Sequence, residues 1–263
     1  MAPQTLKTSD LARALGVHVN TIRLYEAWGF LPPVPRGANG YRRYGAVHLE
    51  HARLVHLALR WPYLDDQPRQ VELVKAAAGG DLGTAMELAY AHLGHVRVER
   101  TMAEAALEFL DRWASGRLID RPRPGVSISA AARHLRVSVD QLRGWERSGL
   151  IAVPRDPATG YRVYGSAEFG RLRVIRTLLQ AGYSLMAILR MLLRVDAGDT
   201  ADLRAALDTP RPDEESHAYV AADRWLSTLV ELEDRAQAAI RQISLLIDLA
   251  HARAASEAPQ PSS

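Results

Sequence analysis

Arg23 and Arg143 each open the same run, Arg-x-aromatic-Glu-x-x-Gly-apolar, written as "RLYEAWGF" in one place and "RGWERSGL" in the other. Each run is followed by Gly-Tyr-Arg-x-Tyr, which supplies Tyr41, Arg42 and Arg43 the first time and Tyr161, Arg162 and Val163 the second. A guanidinium offers a rigid planar fork of donors that fits anionic oxygens and the acceptor edge of guanine. Glu26 and Glu146 suit the task of orienting a neighbouring Arg. No nucleophile–base pair, phosphate-cradling Gly-rich loop or carboxylate cluster at informative spacing accompanies these residues, so no enzyme, no cofactor and no metal is expected. The chemistry in view is recognition of a polyanion.

The elements that carry these residues are duplicated. At an offset of 120 positions, "SDLARALGVHVNTIRLYEAWGFLPPVPRGANGYRRYG" from Ser9 aligns with "SAAARHLRVSVDQLRGWERSGLIAVPRDPATGYRVYG" from Ser129 without a gap. In the first copy, Thr8 or Ser9 is expected to cap a short helix whose apolar face is Leu11, Ala14 and Leu15. Gly16 permits a tight turn. A second short helix follows, with Asn20 as its cap, Ile22 inward and Gly29 as its stop. His18, Asn20 and Thr21 open that helix, and Ser138, Asp140 and Gln141 open its counterpart. Two helices across a short turn make a helix-turn-helix, and the Pro-rich segment after it reads as a small wing of two extended pieces around "ANG".

Charge follows the repeat. Residues 1–60 hold 8 Lys/Arg against 3 Asp/Glu and residues 121–194 hold 13 against 4, so the copies carry +5 and +9 while the remainder carries −11. Two basic modules joined by acidic segments are the pattern of a protein that meets nucleic acid with its modules alone. The 263 residues contain no cysteine, which excludes disulfide and thiolate chemistry and fits a reducing interior. With no secretory signal or spanning apolar run, the expectation is a cytoplasmic, nucleoid-associated protein with no membrane partner.

The order helix-turn-helix, Arg-x-Tyr/Trp-Glu-x-x-Gly, turn-rich wing and Gly-Tyr-Arg-x-Tyr resembles the DNA-binding domain of the MerR family of bacterial transcription regulators. The likeness extends into "LRVIRTLLQAGYSLMAILRML" from Leu172, whereas the first copy departs with Trp61-Pro62 where the second has Ala181-Gly182. The resemblance implies contact with double-stranded promoter DNA through His18, Asn20, Thr21, Arg23, Tyr25, Tyr41, Arg42 and Arg43, and through Ser138, Asp140, Gln141, Arg143, Trp145, Tyr161 and Arg162. Tyr25, Tyr41, Trp145 and Tyr161 would grip the backbone, while core packing is the competing role, above all for Tyr44 and Tyr164. Val163 in place of an Arg implies a second wing with a weaker hold. The family's activators distort an over-long promoter spacer, so RNA polymerase is an implied partner.

Family members also pair through a long antiparallel helix. Here Ala222, Trp225, Leu229, Leu232, Ala236, Ala239, Ile243, Leu246 and Ala250 occupy strict a/d positions, as do Leu82, Met86, Ala89, Leu93, Val96, Ala103, Leu107 and Leu110, with Arg100 the one break. The expected fold is therefore mainly α: two winged helix-turn-helix domains, each followed by a long helix, the two long helices pairing as an antiparallel coiled coil in a single-chain pseudo-dimer. The competing arrangement packs each seam in its own domain or uses it for a further homodimer. The expected boundaries are a first winged domain at 1–78, a long helix at 79–114, a linker at 115–126, a second winged domain at 127–197, a connecting helix and second long helix at 198–254, and a disordered tail at 255–263 without an appended ligand-binding domain.

A small organic effector would find a candidate pocket among Trp61, Tyr63, Trp113, Tyr219 and Trp225, for which an aromatic core is the alternative. The histidine pairs His48/His51 and His92/His95 sit three apart, and two imidazoles do not make a metal site. The functional expectation is a sequence-specific regulator that binds an imperfect palindrome and bends or untwists it, with one chain as the functional unit. Two other readings compete: a helical protein that sequesters a drug or toxin, with vestigial heads, and a non-specific architectural DNA binder.

Overall fold

The computed structural model describes residues 5–60, 62, 67–117, 125–209, 221 and 223–257. Trp61, Tyr63, Tyr219, Ala222, the middle of the expected linker and the end of the expected tail lie outside the described residues. The described chain is mainly helical: α1 (Thr8–Leu15), α2 (Val19–Ala27), α3 (Ala46–Ala58), α4 (Gln67–Ala78), α5 (Leu82–Ala114), α6 (Ile128–Leu135), α7 (Val139–Arg147), α8 (Ser166–Gln180), α9 (Leu185–Asp196), α10 (Leu203–Asp208) and α11 (Trp225–Glu257). No helix among the described residues is long and apolar enough to cross a membrane.

The chain divides into two compact units. The first comprises residues 1–97 and 231–263, and the second residues 98–230, so that α5 and α11 each contribute a segment to both. In the first unit, Leu11, Ile22, Tyr44, Leu54, Val55, Leu73 and Val74 bury against Ala85 and Ala89 of α5 and Ala239, Ile243 and Leu246 of α11. Full burial of each such aliphatic or aromatic side chain contributes about 1.5–3 kcal/mol. Polar contacts fix the same packing: Arg97 Nε donates to Glu233 Oε1 at 2.8 Å, and Gln242 Nε2 donates to Glu50 at 3.1 Å (main-chain O) and 2.8 Å (Oε2).

In the second unit the core is built by Leu135, Leu142, Tyr164, Phe169, Leu172, Ile175 and Met191. Arg204 reaches Asp111 of α5 at 2.6 Å, and the Trp225 indole of α11 donates to the carbonyl of Ala181 at 2.7 Å. The two predicted seams are buried along most of their length, but the stripe is wider than strict a/d, since Ala85 and Ala106 are buried too. Ala250, expected in the seam, is exposed.

The caps and the buried face of the first helices lie one or two positions from where the sequence puts them. α1 starts at Thr8 with Lys7 as cap residue, because the Asp10 carboxylate reaches back to accept the Lys7 N–H at 2.8 Å. α2 is capped by His18, whose Nδ1 accepts from the Asn20 N–H at 3.2 Å, and not by Asn20. Ala12 rather than Ala14 joins Leu11 on the buried face of α1. The wings contain no strand among the described residues. Each is held by isolated bridges, Leu6 to Tyr44 and Arg36 to Arg42 in the first copy, Val126 to Tyr164 and Arg155 to Arg162 in the second. The second wing tip is one residue longer than the first, so the ungapped alignment conceals a compensated insertion and deletion.

Candidate nucleic-acid interface

The helix-turn-helix of each unit is set by the same main-chain device at the end of its first helix. Gly16 lies at φ 66 and its N–H meets the carbonyl of Arg13, while the Val17 N–H meets that of Ala12. The second unit reproduces the turn with Arg136 at φ 54, its N–H on Arg133 and the Val137 N–H on Ala132. A left-handed residue there satisfies the last carbonyls of the first helix and aims the second helix away from it.

On α2 and α7 an inward face and an outward face separate by helical spacing. Ile22 and Leu142 are buried, and three residues on, so are Tyr25 at 9% exposure and Trp145 at 7%. The resemblance assigned those two rings to the DNA backbone, and their position one turn beyond a core residue makes them core instead. Outward lie His18, Asn20 and Arg23 on the first helix and Ser138, Asp140, Gln141 and Arg143 on the second, all exposed, with Thr21 half-buried. Arg23 Nη1 donates to Asn20 Oδ1 at 3.2 Å, and Arg143 Nη1 to Asp140 Oδ1 at the same distance. Ser138 and Gln141 close a capping box, Ser138 Oγ accepting the Gln141 N–H at 3.0 Å and Gln141 Oε1 the Ser138 N–H at 2.8 Å.

The wing is tied to the second helix by a carboxylate. Arg42 Nε donates to Glu26 Oε2 at 2.5 Å, and Arg162 Nε to Glu146 Oε2 at 2.7 Å. In each case the carboxylate raises the already high pKa of its guanidinium, chiefly through that hydrogen bond. Tyr44 is buried and its hydroxyl donates to Glu26 at 3.2 Å. Burial leads the rise of its pKa, and Thr8 is a further hydrogen-bonding side chain. The second copy has Ile128 where the first has Thr8, and the buried Tyr164 hydroxyl has no hydrogen-bond partner among the described residues. Tyr41 and Tyr161 project from the wing tips at 74% and 77% exposure, which removes core packing as their role. Arg43 is exposed beside them, and the second tip has Val163.

Clefts open where these groups meet. One of about 540 Å3 is lined by Arg23, Asn39, Tyr41 and Arg42 together with Lys7 and Thr8, and one of about 630 Å3 by Asp140, Arg143, Glu146, Arg147 and Arg162. The sequence points to the arginines, the wing tyrosines and a Glu that orients a neighbouring Arg, but not to that Arg being the one on the wing. The repeated Arg-x-aromatic-Glu and Tyr-Arg motifs held the signal, since both partners recur at matching positions in both copies.

The aromatic pocket expected for an effector does not assemble from its described members. Trp113 lines a cleft with Ile151, Arg171 and Asp196, whereas Trp225 stacks over Gly182. A cavity of about 260 Å3 occurs elsewhere, in the first unit, lined by Pro32, Val47, His51, Leu246, Leu249 and Ala250 among others. Both ring nitrogens of His51 lie within hydrogen-bond reach of carbonyls, Val47 at 2.9 Å and Ala77 at 3.1 Å. Its neighbour His48 accepts the Gly45 N–H at 3.0 Å. Among the described residues, no three His, Cys, Asp or Glu come together as a metal site.

Comparison with known proteins bears on the same two stretches. Residues 7–44 match the family described as MerR family regulatory protein, and residues 126–194 match the MerR HTH family regulatory protein. The chain is 37% identical over 71 residues to a Haemophilus influenzae protein described as a probable heavy metal-dependent transcriptional regulator, covering 27% of this chain and 56% of that one. It is 32% identical over 82 residues to the mercuric resistance operon regulatory protein of Serratia marcescens, covering 31% and 56%. It is 40% identical over 50 residues to an HTH-type transcriptional regulator ZntR homolog of Haemophilus influenzae, covering 19% and 37%. The chain thus spans about half the length, or less, of the curated relatives it matches. No solved structure matches it. Both copies of the repeat coincide with the matched stretches, so the chain carries two MerR-like domains in one polypeptide.

Proposed function

We propose that the chain is a sequence-specific regulator of transcription that binds double-stranded promoter DNA as a single-chain pseudo-dimer. The observation that carries this reading is the duplicated site: an exposed Arg on the outward face of α2 and of α7, each beside a wing clamped by its own Glu–Arg pair. In this reading, Arg23 and Arg143 with His18, Asn20, Thr21, Ser138, Asp140 and Gln141 meet base edges or phosphates in the major groove. Tyr41, Arg42, Arg43, Tyr161 and Arg162 hold the backbone at the wings. Asn20 and Asp140 occupy corresponding positions and present different acceptors, so the operator is an imperfect palindrome. Binding would bend or untwist the duplex at a cost on the order of several kcal/mol, in a form that RNA polymerase reads.

The long helices would pair as an antiparallel coil. Support comes from the first unit, where Leu82 lines one cavity with Leu246 and Leu249, while Arg97 pairs with Glu233, so that contacts rise along one helix as they descend along the other. A small, largely apolar effector would enter that same cavity. Selection of bound sequences from random duplex DNA, repeated with Arg23→Ala and Arg143→Ala, tests the reading. Each substitution is expected to erase preference in a different half-site. Equal damage to both halves by either one would contradict it.

A further inference from the structure

Among the described residues, Arg136 is the one residue other than glycine at positive φ. The corresponding position in the first unit is Gly16, which adopts the same conformation without steric cost. Nothing about the turn itself calls for an arginine, because the hydrogen bonds at Arg136 and Val137 are main-chain bonds that glycine makes equally well in the first copy. A strained residue persists where something other than the local backbone favours it. Here the side chain is exposed, cationic, and two residues before Ser138, the cap of the outward-facing helix α7. A second observation is independent of the strain: the second wing has lost the cation that Arg43 provides in the first, carrying Val163 instead.

We propose that Arg136 is a backbone-positioning residue of the second head, donating to a DNA phosphate from the turn and restoring the cation that the wing has given up. This rests on the DNA-binding reading above. A phosphate contact carries no sequence information, so its loss weakens binding alike on all sequences. The two heads would then hold the backbone by different routes, the first from the wing tip and the second from the helix-turn-helix turn.

The test measures binding of the full chain to a labelled random-sequence duplex by fluorescence anisotropy over a range of salt, for the wild type, Arg136→Gly, Arg136→Asn and Arg136→Lys. Gly and Asn remove the charge while accepting the left-handed conformation, and Lys keeps the charge and the strain. Expected for Gly and Asn is a loss of about three- to tenfold in affinity, with the slope of log affinity against log salt reduced in magnitude by about 0.9. Lys is expected to keep the wild-type slope. Because Arg136→Gly relieves strain, it should also raise the thermal midpoint of the second unit, which separates the binding loss from misfolding. An unchanged slope and affinity for Arg136→Gly in a chain that binds duplex would overturn this inference and leave the DNA reading standing. Failure of the wild type to bind any duplex would overturn both.

Discussion

Gly182→Ala should be among the most damaging single-methyl additions in the second unit. Gly182 lies at φ 92 between α8 and α9, directly beneath the Trp225 indole. A Cβ placed there meets indole Nε1 at 2.5 Å and Cε2 at 2.6 Å, closer than real Cβ contacts approach. The positive φ costs an L-residue about 1–2 kcal/mol, and forcing the ring aside costs about 1–3 kcal/mol. Moving the ring also strains its hydrogen bond to Ala181, a contribution of about 0.5–1.5 kcal/mol. Against this, alanine reduces the unfolded chain's freedom by about 0.4–1 kcal/mol. The net expectation is a loss of about 1.5–6 kcal/mol. Gly149→Ala is the matched control: φ is 75, but the nearest atom to a new Cβ is Leu189 Cδ1 at 3.7 Å, an ordinary contact. It should cost about 1 kcal/mol, the φ contribution alone. Hydrogen exchange of the α8 and α9 amides reads the difference without assuming that a two-unit chain unfolds in one step. Adding Trp225→Ala should recover about 2 kcal/mol of the loss through relief of the clash. Equal losses for Gly182→Ala and Gly149→Ala, or no coupling to Trp225, would refute the reasoning.

Three further outcomes are expected. Glu26→Ala should destabilise its head by about 1 kcal/mol more than Glu146→Ala destabilises the other, since Glu26 accepts from both Arg42 and Tyr44 whereas the Tyr164 hydroxyl has no partner to lose among the described residues; exchange rates of the α2 and α7 amides decide it. Arg171 holds the carboxyl of Asp196 below the usual aspartate range, chiefly by hydrogen bonding. That pairing therefore stabilises the second unit above about pH 4 and is lost as pH falls through the lowered value, so Asp196→Asn should flatten the acid limb of a stability–pH profile in that unit alone. Finally, an uncharged naphthylamine dye should bind the first-unit cavity saturably, one per chain, with Ala250→Trp lowering its affinity at least about tenfold and Ala167→Trp in the second unit leaving it unchanged.

Much of this architecture was legible from periodicity. The inward Ile22 and the 120-residue offset, which carries it onto Leu142, were enough to locate both helix-turn-helix cores, because burial repeats with helical geometry. Tyr25 and Trp145 were misassigned since a motif names a residue's chemistry without its direction, and one turn beyond a core position points inward. The caps lie nearer the N-terminus than expected, at Lys7, whose N–H the Asp10 carboxylate accepts, and at His18, whose Nδ1 accepts the Asn20 N–H. The wing's extended pieces are too short and Pro-rich for a ladder, so they close as single bridges. The strict heptad seam missed Ala85 and Ala106 because a helix packed among several neighbours buries a broader face than a two-stranded coil does. No spacing rule reveals Arg136, since an arginine after a helix ordinarily signals a charged last turn. Its strain emerges only from φ and from comparison with Gly16.

In the proposed reading, a single polypeptide supplies both reading heads. The mass of the complex between this chain and a duplex enriched by selection, measured in solution at saturating protein, tests it most directly. One chain per duplex is expected, with protection spanning both half-sites. Two chains per duplex, with one head of each in contact, would contradict it.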